Sequence, residues 1–240
     1  YPPPVMRPAP TVRGRYRRRA PALAVAVAVL AWPAAGEAPR LEARRVPAGE
    51  SVRVDGDLSA PAWRAASWFS DFRQSVPDLG QPATERTSVA FLFDDTHLFV
   101  AVRCDDAEPA AIRANKLRHR DEPETDDHVE VVLDTYRDLV RGTVFVVNPN
   151  GAKEEGLVNG YERYTWSWDG VWETRAAVTA SGWQAEIAVP LRLLRYSDAP
   201  DQVWGVNVAR VIRRKQEAVY AAPPPPPFDI SSLNYAATLS

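Results

Sequence analysis

Between residues 88 and 213 apolar and polar positions alternate in short runs, and that period of two predicts strands. In SVAFLFDDTHLFVAVRC (88–104), Val89, Phe91 and Phe93 share one face, and Asp94, Asp95 and Thr96 turn the chain into a second strand. The same pattern predicts strands near 129–133, 143–148, 174–180, 183–189 and 205–213, with Ser181-Gly182 as a two-residue hairpin turn. Helical signals are confined to single turns at 59–63 and 190–194, each opened by a proline. Strands without intervening helices predict an all-β chain folded as two packed antiparallel sheets with short helical turns. Five prolines, Pro223 to Pro227, predict an extended exit from the last strand, and no internal repeat is present.

The first 38 residues follow a different pattern. A basic run (Arg13 to Arg19) precedes the apolar stretch PALAVAVAVLAW and then small residues, the order of a secretory signal peptide. Residues 39–50 are polar and contain proline, which predicts a linker, leaving 51–240 as the sandwich domain. The 240-residue chain carries a formal charge of −2; without residues 1–38, which hold six arginines and one glutamate, it is −7. An acidic body argues against nucleic acid as a partner, and an export signal places it in the periplasm, at the outer membrane or outside the cell. The single cysteine, Cys104, ends an apolar strand and reads as a small buried hydrophobe.

Candidate chemistry concentrates in RDEPETDDHVEVVLD (120–134). Period two puts Asp127, Val129, Val131 and Leu133 on one face, and His128, Glu130, Val132 and Asp134 on the other. Asp126, Asp127 and Asp134 are candidate oxygen ligands for a structural calcium ion, though the spacing matches no EF-hand, and Glu130 is a candidate acceptor for ligand hydroxyls. A glycosidase would need two carboxyls across one cleft; Asp127 and Glu130 lie on opposite faces, and only Glu173 or Glu186 remain as partners for Glu130. There is no GxSxG, HExxH, glycine-rich phosphate loop or cysteine pair, so the chain reads as non-catalytic and requires no cofactor.

Six segments occur in register: VDGDLSAPAW, SVAFLFDDTHLFVAVRCDD, TDDHVEVVLD, VNPNG, GWQAEIAVPLRLL and WGVNVARVIRR. Together, over residues 45 to 240, they resemble the family-9 carbohydrate-binding module, in the version found at the N-terminus of large secreted bacterial proteins that continue as an outer-membrane-type barrel. The resemblance implies an immunoglobulin-like β-sandwich that binds polysaccharide or oligosaccharide, with structural calcium, beside a glycoside hydrolase or a barrel that this chain lacks. The family's hydroxyl-accepting acid matches Glu130. Its two stacking tryptophans fall on Glu124 and on Tyr220 or Ala221, and its arginine falls near Val146, beside Asn148. The implied aromatic platform is therefore drawn from Tyr220, Tyr161, Tyr164 and Trp166.

Four of the eight tryptophans fall in YERYTWSWDGVWETRAAVTASGWQAEIAVP (161–190). Trp172 and Trp183 open paired strands and read as core, as do Trp63 and Trp204; Trp166 and Trp168 follow a polar loop and read as candidate ligand contacts. The candidate sugar-binding set is then Glu130, Tyr220, Trp166, Trp168, Asn148 and Tyr164. Two further readings stay open: a structural docking domain without a sugar site, and a glycoside hydrolase.

Overall fold

The computed structural model describes residues 38–160 and 163–240, with only the backbone at Arg163; the expected signal peptide and Tyr161 lie outside the described residues. No helix among these residues is long and apolar enough to cross a membrane. The fold is an all-β sandwich of two sheets with short helical turns, α1 (Pro61–Ala65) and several 3-10 turns.

The larger sheet runs β1 (Arg40–Leu41), β15 (Ala237–Leu239), β13 (Trp204–Ile212), β7 (His128–Asp134), β8 (Arg141–Val147), β9 (Lys153–Asn159) and β10 (Arg163–Thr165). Beside β13 it also carries β14 (Glu217–Tyr220), which pairs with β4 (Arg73–Val76). The smaller sheet runs β11 (Glu173–Thr179), β12 (Gly182–Pro190), β6 (His97–Asp105), β5 (Thr87–Phe93) and β2 (Ala43–Arg45), with β3 (Trp68–Phe69) also on β5.

The period-two reading holds at side-chain level. Val129, Val131 and Leu133 of β7 face Val100, Val102, Ile187 and Trp183 of the other sheet in one apolar core, which also takes Phe91, Phe145, Trp172 and Trp204. The four tryptophans expected inside are buried, as is Cys104. Both outer faces are partly covered. On the smaller sheet, Leu58, Ala62 and Trp63 pack over Ala90, Leu92, Phe99, Ala101 and Ala188. On the larger sheet, Tyr220, Ile230 and Leu233 pack over Val132, Val144, Val146 and Ala209.

Residues 39–50 are not a linker. β1 pairs parallel with β15 and β2 parallel with β5, so this polar stretch ties one edge of each sheet, and Leu41 is buried in the core. Strands of two or three residues at an edge carry too little apolar periodicity to be seen in sequence. These two pairings also make the sheets mixed rather than purely antiparallel.

The β11–β12 hairpin turns at Ala180 and Ser181, one residue earlier than expected, since Thr179 pairs with Gly182. Gly182 has φ +142, and a Cβ there would stand 2.1 Å from the Cys104 carbonyl oxygen on β6, so only glycine lets the two strands approach. The proline run is extended only as far as Pro225, whose carbonyl accepts a turn hydrogen bond from Phe228.

The VDGDLSAPAW segment is explained by one buried carboxylate. Glu186 accepts hydrogen bonds from Trp63 Nε1 (2.6 Å) and from the backbone N–H groups of Gly56 (2.7 Å) and Asp55 (2.9 Å). Burial holds its pKa above the ordinary carboxylate range despite these donors.

Candidate functional site

Four of the predicted residues meet on the outer face of the larger sheet. Cross-strand register sets one row: Tyr220 of β14, Ala209 of β13, Glu130 of β7, Val146 of β8 and Glu154 of β9. Small buried neighbours, Ala209 and Val146, leave Glu130 standing above an apolar floor with its side chain 20% exposed. His128, two residues back on the same strand face, contacts Glu130 Oε1 through Nε2 at 3.0 Å. Its Nδ1 meets the Asp126 carbonyl at 2.8 Å, which fixes the ring.

The aromatic wall stands beside this row. Trp166 stacks on Tyr164 with ring centres 5.0 Å apart and planes 16° from parallel. The indole lies flat over Gly156 of β9, where an added Cβ would come within 2.8 Å of Trp166 Cε3. A glycine on a strand thus marks a close aromatic approach.

Tyr220 is 8% exposed, and among the described residues its hydroxyl takes no hydrogen bond. Burial, followed by the Glu130 charge, pushes both the Tyr220 and Tyr164 phenols well above their ordinary values. Both phenols therefore stay protonated and able to donate toward Glu130 or a ligand. Ser231, in side-chain contact with Tyr164, belongs to the C-terminal loop that borders the face.

Two predicted contacts fall elsewhere. Trp168 points to the core side, edge-on to Phe145 at 6.4 Å, and packs against the main apolar cluster. Asn148 is wholly buried and spends its side chain on loop architecture: Nδ2 donates to the Lys116 carbonyl (2.9 Å) and Asp126 (3.0 Å), while Oδ1 accepts from Asn150 (3.1 Å) and Ala152 (2.8 Å). An asparagine in the VNPNG turn is held by its own turn, a local competition that spacing does not reveal.

The three aspartates expected to hold calcium do not converge. Asp126 is filled by N–H donors from Asn115, Lys116 and Asn148; burial opposes its charge, but these donors hold its pKa below the ordinary range. Asp127 accepts the Arg213 N–H at 2.8 Å, and Asp134, at the other end of β7, accepts from Asp138 and Leu139. Seven residue steps along the strand separate Asp127 from Asp134, roughly 23 Å.

The glycosidase pairings fail in the same way. Glu186 lies on the outer face of the smaller sheet against Trp63 and Glu173 on its edge strand β11, so neither shares a cleft with Glu130.

Sequence reasoning missed a buried acid, Glu155. Its carboxylate accepts from Trp172 Nε1 (2.7 Å) and Arg120 (3.1 Å) and meets His119 Nε2 (3.0 Å). Burial raises its pKa, but these partners outweigh it and hold the group below the ordinary value. His119, Glu155 and Asp169 have metal-holding spacing, yet the Arg120 guanidinium on Glu155 already supplies the compensating charge.

A groove of about 540 Å³ opens at the sandwich end, lined by Phe93, Leu98, Leu191, Tyr196 and Trp204 among others. It contains none of the predicted residues, and its polar groups bind one another: Gln202 accepts Trp204 Nε1 at 3.0 Å and Arg45 pairs with Asp95 at 2.8 Å.

No protein-family model matches the chain, and no curated protein sequence does. Among the solved structures that share its fold are the following three. A provisionally assigned carbohydrate-binding protein from Bacteroides uniformis ATCC 8492 superposes with TM-score 0.67 at 12% identity, over 85% of this chain and 99% of its own. A family 9 carbohydrate-binding module from Caldicellulosiruptor kristjanssonii in complex with glucose gives TM-score 0.59 at 14% identity, covering 84% and 95%. The same organism's module with cellotriose gives 0.56 at 14%, covering 84% and 93%. The chain has the fold of a family 9 carbohydrate-binding module.

Proposed function

We propose that the chain is a non-catalytic carbohydrate-binding module whose ligand lies on the outer face of the larger sheet. The observation that carries this reading is the convergence of four side chains on one face: Tyr220 and Glu130 share a cross-strand row, and Tyr164 and Trp166 stack on each other and pack against the same cluster. An aromatic face with a few convergent polar groups is the chemistry that pyranose rings require, and Trp166, Tyr164, Glu130 and Tyr220 supply it. The fold shared with modules seen with glucose and cellotriose supports the reading. The proposed setting is outside the cytoplasm, where the module would hold a glycan for a hydrolase or a barrel partner.

The test is calorimetric titration of the purified chain with glucose, cellotriose and a wider saccharide panel, beside Glu130→Gln. Binding that weakens tenfold or more in the variant, about 1.4 kcal/mol, is the expected result. Silence across the panel from a folded protein would reject it.

A further inference from the structure

Trp166 belongs to the aromatic wall, yet what holds it lies on the other side of the sheet. Residues 166–172, between β10 and β11, carry the chain from the outer face to the core: Trp166 stacks on Tyr164 outside, while Trp168 and Trp172 stand edge-on to Phe145 inside. Every second residue of this segment reaches one ion pair, Arg120 with Glu155. The Trp166 carbonyl accepts from Arg120 Nη1 at 2.6 Å, and the Trp168 carbonyl accepts from Arg120 Nη2. The Gly170 N–H donates to Glu155 Oε1 at 3.4 Å, and Trp172 Nε1 donates to Glu155 Oε2 at 2.7 Å. Arg120 Nη2 closes the hub on Glu155 Oε1 at 3.1 Å.

The hub is anchored in the sheet. Glu155 pairs in register with Phe145 and faces the core with it, its side chain wholly buried, whereas the next residue, Gly156, lies under the Trp166 ring. Arg120 has φ +57, a left-handed backbone that a residue with a Cβ seldom adopts, and its N–H donates to the Lys153 carbonyl on the same strand at 2.9 Å. That backbone turn aims the guanidinium at Glu155 and at both tryptophan carbonyls. A planar guanidinium can serve all three because its N–H groups diverge in fixed directions.

We infer, resting on the glycan-binding reading above, that Arg120 is a positioning residue of the glycan site, with Glu155 as its anchor. It acts through the Trp166 backbone, not on the sugar: by clamping the carbonyls of Trp166 and Trp168 it fixes where the chain crosses from face to core. The Trp166 indole is thereby held over Gly156 and against Tyr164 before a ligand arrives. An aromatic platform ordered in advance spares binding the entropy of ordering it. Lysine at 120 would keep the charge beside Glu155 but would present one ammonium in place of the fork, and could not hold the carboxylate and both carbonyls in the same geometry.

The test is calorimetric titration of the full chain, Arg120→Lys and Arg214→Lys with glucose, cellotriose and the wider saccharide panel, each well below its melting temperature. Arg120→Lys is expected to keep its binding stoichiometry and to bind about tenfold more weakly. Arg214 sits in a comparable buried network, on Asp106 at 2.7 Å and Glu85 at 3.3 Å, away from the wall. Arg214→Lys should lower the melting temperature and leave affinity within about twofold, which separates positioning from a general loss of stability. A folded Arg120→Lys with unchanged affinity, or an Arg214→Lys that weakens binding equally, overturns the inference and leaves glycan binding standing. Should Arg120→Lys not fold, indole 15N relaxation of the unaltered, sugar-free chain decides: Trp166, assigned with Trp166→Phe, is expected to be as rigid as the buried Trp63 and Trp183, and a more mobile Trp166 overturns the inference. If the unaltered chain binds no saccharide of the panel, the glycan-binding reading falls and takes this one with it.

Discussion

Tyr220 is a side chain whose two ends can be tested separately. Its ring packs in the apolar cluster with Val146, Ala209 and Ile230, while its hydroxyl has no partner among the described residues. Tyr220→Phe keeps the packing, so thermal stability should change by less than about 0.5 kcal/mol. Sugar affinity should fall by about 0.5–1.5 kcal/mol, the net worth of one hydrogen bond. Unfolding melts and titrations of the same sample check both; unchanged affinity would remove Tyr220 from the site. Gly156→Ala acts on the aromatic wall instead. The new methyl would stand 2.8 Å from the Trp166 ring, so the indole must move, at a cost of about 1–3 kcal/mol of stability and with a change in tryptophan emission. Glu130 and the aromatic content were legible in the sequence because period two sorts a strand into faces. The place of Gly156 under Trp166 and of Glu154 in the Glu130 row was not, because it depends on which strand lies beside which, and register is written in pairings far apart in the chain.

At the scale of elements, the long central strands were readable and the short edge strands were not. β5, β6, β7, β8 and β12 have seven to nine residues, enough for alternation to declare itself. β1 and β2 have two and three, in a stretch that composition assigns to a linker. Their contribution comes from pairing: Arg40 and Leu41 against Thr238 and Leu239, and Ala43 to Arg45 against Phe91 to Phe93. A chain that begins at Ser51, the boundary that the sequence alone suggests, loses both edges and the buried Leu41 side chain. Burial of one leucine is worth about 1.5–3 kcal/mol, so such a chain should melt several degrees below one that begins at residue 38. Equal melting temperatures would mean that these edge pairings do not form in solution.

For the whole molecule, buried carboxyls of two opposite kinds set the dependence of stability on pH. Glu155 and Asp126 are buried, which alone would raise them, but hydrogen bonds from Trp172, His119, Arg120, Lys116 and Asn115 hold both below their ordinary values. Their stabilisation is present above the unfolded-chain value of about 4 and is lost as pH falls through their lowered folded values. Glu186, Asp127 and Asp134 are held above the ordinary range, by burial first, each against backbone donors. Their contribution is full below the unfolded value and is lost as pH rises through their raised folded values. The two sets overlap only on the acid side of neutral, so the melting temperature should peak there, fall steeply below pH of about 4, and decline more gently toward pH 7. A melting temperature that climbs steadily up to neutral pH would mean that the raised carboxyls do not resist ionisation in the fold. Ligand binding adds a separate term, since any sugar that binds only the folded chain raises the whole curve by mass action. With a saturating neutral sugar the curve should shift upward and keep its acid limb, because Glu155 and Asp126, which set that limb, are not on the proposed binding face, whereas Glu154, a carboxyl that burial holds above its ordinary value, lies in the Glu130 row and can respond to the ligand.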